Sequence, residues 1–571
     1  MTLLASFPPA SSKDKTVTLR VLETSDVHGS FFPQDFMERQ PCKGSLARLS
    51  TYVKRERERF GDNLLLLDNG DILQGQPTVY YYNFMDTTSK HVAAQMMNYL
   101  RYDAGNMGNH DVETGHAVYD RWISECQFPI LGANIINTST GDTYLPPYKV
   151  FVRDGVKVAV LGMITPAIPA WLSENLWSGL RFDPAEETAR KWVKTIRERE
   201  NPDVLIALIH AGRDWTRTTG NFVENASQLV AERVPGIDLV LFGHDHQYYC
   251  DTVTNVEGKT VWLLNPANKA QKVATANIQL TLRRGKVVKK EITGKLVDIS
   301  SLPVDGDFMA EFKPQYDAVE AFVSQRIGAI DKTITTRDAF FGPSAFIDLL
   351  HSLQLAITGA EVSMVAPLSF DSEIKEGDIF VSDMFKLYKY ENMLYTMRLS
   401  GKEIKNYLEQ SYYLWTNQMT SADDHLLLLK EAPGNGDDGA RALFQNFSFN
   451  FDSAAGIRYT VDVTKPRWEK ITIESMADGS PFDMDKFYTV AVNSYRGNGG
   501  GSLLTEGAGI PADELPQRIV TATAKDLRYY LMEYIRKVGD INPAPLNQWR
   551  FVPEEWTVTA AKRDYKLLFK D

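Results

Sequence analysis

The sequence predicts a two-domain α/β (α+β) protein, and three observations lead there. The chain has 571 residues, more than one hydrophobic core usually organises. Its first half alternates short apolar, β-branched runs with amphipathic helical stretches, the pattern of helices layered on sheets. Near residues 300–330 that pattern breaks: a turn-rich stretch, Ser301–Asp307, is followed by a helical one and then by a second set of strands and helices.

In order along the chain, Val17–Thr24 reads as a strand and Gly44–Phe60 as an amphipathic helix with a charged outer end. Leu64–Leu67 is a short buried strand, Val92–Leu100 is helical, and a further strand runs into Asn106. Val156–Met163 is strongly β-branched, Pro184–Arg199 is helical, and Asp203–Ile209 and Asp238–Phe242 are strands. Phe308–Gln325 reads as one helix joining the two halves. The second half predicts a helix over Ser344–Ile357, strands at Glu361–Val365 and Asn392–Leu399, and a helix from Lys402 to Leu414. Thr420–Ala440, with its Gly434-Asn435-Gly436 run, reads as a surface loop.

The tightest constraint on function comes from histidine. Five of the nine histidines fall in short motifs that each follow a strand-like run. The motifs are Ser25-Asp26-Val27-His28, Gly70-Asp71, Gly108-Asn109-His110-Asp111, Ile209-His210 and Gly243-His244-Asp245-His246. Strand ends are where side chains from separate strands converge, so the five together predict one composite site. Hydrolysis of a phosphate ester needs a strong nucleophile and neutralisation of charge on the phosphoryl group, and two divalent ions provide both. Asp26, His28, Asp71, Asn109, His210, His244 and His246 supply the imidazoles and hard oxygens for such a pair. A single histidine is more often a core or surface residue than a ligand, and His91, His116, His351 and His425 are assigned no role.

These residues resemble the calcineurin-like metallophosphoesterases, whose pattern is DxH, GD, GNHD/E, H and GHxH. The resemblance implies that Asp26, His28, Asp71 and His246 bind one metal, and that Asp71, Asn109, His210 and His244 bind the other, with Asp71 bridging. It makes His110 the catalytic imidazole and Glu113 the carboxylate that orients it. Mixed imidazole and oxygen donors suit two ions of Zn²⁺, Mn²⁺, Fe²⁺ or Co²⁺.

With a second domain of this size the chain is similar to the 5′-nucleotidase family, including the bacterial 2′,3′-cyclic-nucleotide 2′-phosphodiesterase/3′-nucleotidases. The implied layout is a metallophosphoesterase β-sandwich flanked by helices over 17–300, a linker helix over 301–329, and a 5′-nucleotidase-type α/β substrate domain over 330–552. In that family two aromatic rings hold the base, and stacking suits broad specificity because every base has a π-face. Phe451 and Tyr495 occupy the matching positions, with Asn493, Arg496, Gly499 and Gly500 beside Tyr495 as further substrate contacts.

Two departures bear on the substrate. The stretch Val365-Ala366-Pro367-Leu368-Ser369-Phe370 lacks the phosphate-binding Arg of 5′-nucleotidases, and Gly501 stands where they carry an Asp for the ribose hydroxyls. A carboxylate there would repel a phosphate carried on those hydroxyls, and the missing Arg removes a bidentate donor for a 5′-phosphate. Both favour 2′,3′-cyclic and 3′-nucleotides. The alternatives are a 5′-nucleotidase or UDP-sugar diphosphatase, and a non-catalytic surface or binding protein that keeps the fold.

Composition narrows the partners. A formal net charge of −11 argues against a nucleic-acid polymer, while a small nucleotide remains compatible. The three cysteines, Cys42, Cys126 and Cys250, form neither a disulfide framework nor a zinc ribbon. No apolar run reaches transmembrane length, and Met1–Lys15 shows no basic signal-peptide start. The resemblance implies a periplasmic or cell-surface location. Oligomeric state is not encoded in any pattern visible here.

Overall fold

The computed structural model describes residues 14–216, 218–431 and 442–569. Most of the N-terminal stretch and residues 432–440 of the expected loop Thr420–Ala440 therefore lie outside the described residues, while Leu429–Glu431 of that loop is a strand, paired with Ala442–Phe444. Two compact units emerge, one running to Ile168 and from Glu174 to Glu320, the other made of Pro169–Ser173 and the chain from Ala321.

The first unit is built on two six-stranded sheets. One is ordered Lys286–Asp298, Lys272–Arg283, Lys15–Thr24, Leu64–Asp68, Ala104–Asn106, Ile130–Leu131. The other is ordered Tyr248–Thr254, Thr260–Pro266, Leu239–Phe242, Val204–His210, Val156–Ile164, Tyr148–Arg153. The central strands of the second sheet run parallel: Val204–His210 pairs with Val156–Ile164 on one side and Leu239–Phe242 on the other. Such strands are apolar on both faces because both are covered. Val158, Val160, Ile206 and Leu208 turn inward to meet Val21, Leu65, Leu67 and Ile278 of the first sheet. Their neighbours Ala159, Leu161, Leu205 and Ala207 turn outward under Ala189, Val193 and Ile196 of the helix Ala185–Arg199.

Helix starts follow their caps. Ser45 accepts a hydrogen bond from the Arg48 N–H and opens the helix Leu46–Phe60. Ser344 and Ser400 do the same for Ala345–Thr358 and Gly401–Trp415. The stretch Phe308–Gln325, expected as one helix, is two: Gly306–Glu311 and Lys313–Val323. Pro314 explains the break, since its ring collides with the carbonyl four residues back and it has no N–H to donate.

The second unit carries a five-stranded sheet ordered Ser453–Ala455, Val362–Val365, Phe487–Asn493, Met393–Ser400, Ile519–Asp526. The helix Gly401–Trp415 buries Ile404, Tyr407, Leu408, Tyr412 and Trp415 in a core shared with Phe340, Phe451, Tyr459 and Val490. Among the described residues no helix is long and apolar enough to cross a membrane.

Candidate metal centre

All five motifs of the first unit leave strand ends on the same side. Asp26 and His28 follow the strand that ends at Thr24, and Asp71 follows the one that ends at Asp68. Asn109 and His110 follow Asn106, His210 is the last residue of its strand, and His244 and His246 follow Phe242. Five of these residues hold left-handed backbone that non-glycine residues rarely adopt: Asp26 (φ 52°), His28 (49°), Asp71 (57°), His244 (75°) and His246 (55°). Each such residue costs about 1–3 kcal/mol, and strain of this kind collects where function requires it.

The loops cross so closely that two positions exclude any side chain. A Cβ on Gly108 would fall 2.1 Å from Asp71 Oδ1, and one on Gly243 would fall 1.9 Å from Ser25 Oγ. Asp111 ties two of the loops together: its buried carboxylate accepts the N–H groups of Asp71, Ile72, Leu73 and Gly108. This fourth residue of the Gly-Asn-His-Asp motif had no assigned part in the sequence reading.

Two groups of donors result. In the first, His246 Nε2 lies 3.0 Å from His28 Nε2 and 3.2 Å from Asp26 Oδ1. In the second, His210 Nε2 lies 3.2 Å from Asp71 Oδ2 and 3.1 Å from Asn109 Oδ1, and the His244 ring meets the His210 ring at 5.4 Å. Asp26, His28 and His246, and likewise Asp71, His210 and His244, place one candidate ligand atom each within 4.8 Å of one another. Backbone carbonyls set the tautomers. His28 Nδ1 donates to Gln74 O at 3.1 Å and His210 Nδ1 to Asn69 O at 2.7 Å, which turns each Nε2 toward its group.

Electrostatics fit a bound cation. Among the described residues no lysine or arginine pairs with Asp26 or Asp71, although both are buried. Burial raises the Asp26 carboxyl, but His246 and His210 outweigh it and hold it at about 2. Burial raises Asp71 as well, and His210 and His110 overcome it, so Asp71 sits well below the usual carboxylate range. Burial opposes charge on His210, yet Asp71 wins and pushes that imidazole up to about 9. Buried carboxylates that draw charge onto imidazole are satisfied equally by a divalent ion.

His110 stands at the edge, its side chain 26% exposed, with Nδ1 2.5 Å from Glu113 Oε2 and its backbone N–H donating to Asp71 Oδ1. The exposure of His110, and of His246 at 38%, marks the side from which a substrate can reach the buried acids.

The residues expected to hold a base divide differently. Tyr495 is half-buried at the start of the short helix Ser494–Gly497, and the Gly500 backbone lies under its ring, where a Cβ would come within 2.5 Å. Phe451 is not available to a ligand: it is 0% exposed and stacks on Trp415 at 5.6 Å with planes 2° apart. Arg496 is buried too, its guanidinium consumed by Asp452, Asn450, Gly500 O and Phe449 O. It anchors the loop rather than reaching a substrate. Asn493 caps the short helix through the Arg496 N–H, and Gly499 supplies a left-handed turn at φ 101°. Gly501 has a local reason of its own, since a Cβ there would meet Arg496 Nη1 and Asn450 Oδ1 at 2.3 Å.

The ring that does face Tyr495 is Phe449, half-buried, 6.3 Å away and edge to face at 85°. Phe447 stacks on its far side at 5.1 Å. Sequence reasoning missed Phe449 because Phe447, Phe449 and Phe451 are evenly spaced, and Trp415, distant in the chain, decides which ring the core takes.

Residues 19–248 match the model of the calcineurin-like phosphoesterases, and residues 326–506 match that of the 5′-nucleotidase C-terminal domain. The chain is a calcineurin-like metallophosphoesterase with a 5′-nucleotidase C-terminal domain. This metallophosphoesterase is 26% identical to the trifunctional nucleotide phosphoesterase protein YfkN of Bacillus subtilis over 98% of its own length but only 40% of YfkN. It is also 26% identical to a 2′,3′-cyclic-nucleotide 2′-phosphodiesterase/3′-nucleotidase of Salmonella typhimurium, covering 97% of this chain and 91% of that one. In fold it resembles a crystal structure from Staphylococcus aureus named for the 5′-nucleotidases, with a TM-score of 0.76 at 20% identity over 94% and 100% of the two chains. Metallophosphoesterases hydrolyse phosphate esters with divalent metal ions, and the two Asp/His groups are where this chain can hold them.

Proposed function

We propose that this metallophosphoesterase hydrolyses 2′,3′-cyclic nucleotides and 3′-nucleotides, giving nucleoside and phosphate. The observation that carries the proposal is the convergence of seven side chains from five strand ends on two adjacent Asp/His groups. In this reading Asp26, His28, Asp71 and His246 hold one ion, and Asp71, Asn109, His210 and His244 hold the other, with Asp71 shared. The name of the Salmonella relative and the absence of an Arg from Val365–Phe370 support the substrate class. A periplasmic or cell-surface compartment, implied by the resemblance, belongs to the same proposal.

When bound, the two ions would acidify water and neutralise charge on the phosphoryl oxygens. The chain's own residues then do the rest. Glu113 accepts the Nδ1 proton of His110 and leaves Nε2 as the atom that meets the phosphoryl or leaving-group oxygen. Addition of water to the cyclic ester breaks one P–O bond and yields a nucleotide monoester. A second water releases phosphate and the nucleoside. Phe449 and Tyr495 supply the faces for the base. Their present edge-to-face contact requires one ring to turn before a base enters.

The test is phosphate release with added Mn²⁺ from 3′-AMP, 5′-AMP and 2′,3′-cyclic AMP, with the nucleotide products of the cyclic ester followed by chromatography. Turnover of the cyclic and 3′ esters above 5′-AMP is expected. Preference for 5′-AMP would keep the hydrolase and overturn the substrate assignment. No turnover of any of the three would favour a non-nucleotide ester, or a protein that binds without reacting.

A further inference from the structure

Glu224 lies in none of the five motifs, yet its Oε1 sits 3.0 Å from His244 Nε2. It is delivered there by a folded-back segment. After His210 the chain forms a small hairpin, Thr218–Thr219 against Phe222–Val223, and then returns. The return is tied down at several points beside the Gly243–His246 loop. Asn225 Oδ1 accepts the Gly212 N–H at 3.0 Å, and a Cβ on Gly212 would fall 2.5 Å from that same oxygen. The Ser227 N–H donates to Gly212 O at 3.1 Å. The Arg213 N–H donates to Asp245 Oδ2 at 3.0 Å, and the Thr219 hydroxyl donates to the other oxygen of Glu224.

The histidines of the site are therefore held in different ways. His28 and His210 give their Nδ1 protons to neutral backbone carbonyls of strand-end loops. His244 presents its Nε2 to a carboxylate on a hairpin. With Nε2–H donated to Glu224, the ring's lone pair is on Nδ1, and an anionic partner makes that nitrogen a better donor than a carbonyl would.

We propose that Glu224 is a positioning residue for His244, which fixes the tautomer and orientation of that ring, so that the ion shared by Asp71, Asn109, His210 and His244 depends on the hairpin while the other ion does not. The inference rests on the two-ion reading above. Its functional consequence is an asymmetric centre, with one ion held by strand-end loops and the other partly by an element outside the sheets.

The experiment uses the full chain, stripped with chelator and titrated with Mn²⁺ by calorimetry, for the wild type, Glu224→Ala and Glu224→Gln. Metal content after dialysis against graded chelator is measured in parallel, and circular dichroism and melting of the metal-free proteins check folding. The wild type should bind two ions. Glu224→Ala should bind one ion with wild-type affinity and the other about 10–100-fold more weakly. Glu224→Gln, whose amide oxygen can accept the same hydrogen bond, should recover part of that loss. Wild-type affinity for both ions in a folded Glu224→Ala would overturn the proposal, and so would equal weakening of both. A wild type that binds no Mn²⁺ would overturn the two-ion reading itself, an outcome distinct from either.

Discussion

His110 and Glu113 are placed one helical turn apart, and that spacing determines what each can do. The carboxylate reaches only Nδ1, so the ring is presented by its other nitrogen. Removing the imidazole in His110→Ala should lower kcat by about 10²–10⁴ while leaving the metal content unchanged. Glu113→Gln removes the counter-charge of an imidazolium but keeps an acceptor near Nδ1. It should lower kcat less than His110→Ala and leave the metal content unchanged. Wild-type turnover in Glu113→Gln would show that the carboxylate does not orient this ring. The same scale shows what a sequence can disclose. Metal chemistry admits few residue types, so motif and position were enough to single out Asp26, His28, Asp71, Asn109, His210, His244 and His246 as candidate donors, and the fold brings them together. Ring burial has no such vocabulary, and Phe449 could be told from Phe451 only once Trp415 was seen stacked on the latter.

At the level of elements, hydrophobic periodicity made most boundaries legible, and the exceptions have identifiable causes. Val92–Leu100 begins and ends where its pattern predicts, and Ser45 and Ser344 open helices within a residue or two of expectation. The connector was misread because Pro314 was absorbed into an otherwise helical pattern. Loop-to-loop ties were invisible, since Asp111 works by collecting backbone N–H groups that any residue could offer. In Asp111→Asn one of the two oxygens becomes an NH₂, which leaves two buried donors without an acceptor. At about 1–3 kcal/mol for each orphaned group, unfolding of the first unit should fall markedly in midpoint, and metal affinity should fall with it. Wild-type stability of that variant would refute the role. The helix Ala345–Thr358 offers a pH-dependent case. Burial raises the Asp348 carboxyl from 3.8 to about 6, and the Leu546 N–H lowers it only in part. A pKa higher in the folded than in the unfolded chain means that the folded state holds the proton more tightly. The resulting stabilisation is full below about pH 4 and is lost as pH rises through about 6, an effect of up to about 3 kcal/mol. Asp348→Asn cannot ionise and keeps the acceptor for Leu546. It should unfold at a higher temperature than the wild type at pH 8, with the difference vanishing near pH 4.

For the whole molecule the proposed function assigns chemistry to one unit and recognition to the other, and that division can be measured without reference to how they are arranged. The candidate metal ligands belong to the first unit, and Phe449 and Tyr495 belong to the second. If the rings hold the base, their loss should weaken only substrates that have one. Base stacking on an aromatic ring is worth about 1–3 kcal/mol, so Phe449→Ala and Tyr495→Ala should each raise KM for 3′-AMP by about 5–150-fold. The metal content should stay at the wild-type level, and hydrolysis of p-nitrophenyl phosphate, which carries no base, should be unaffected. Phe451 provides the internal contrast. It has the same ring two residues from Phe449, but it lies wholly inside the core against Trp415, Phe444 and Phe340. Phe451→Ala should destabilise the second unit by about 3–5 kcal/mol, and the folded fraction should discriminate between 3′-AMP and p-nitrophenyl phosphate as the wild type does. Were Phe451→Leu, a milder change in the core, to raise KM for 3′-AMP selectively while Phe449→Ala did not, the base would have to be held by the ring that the fold conceals, and the second unit would need to open to admit it.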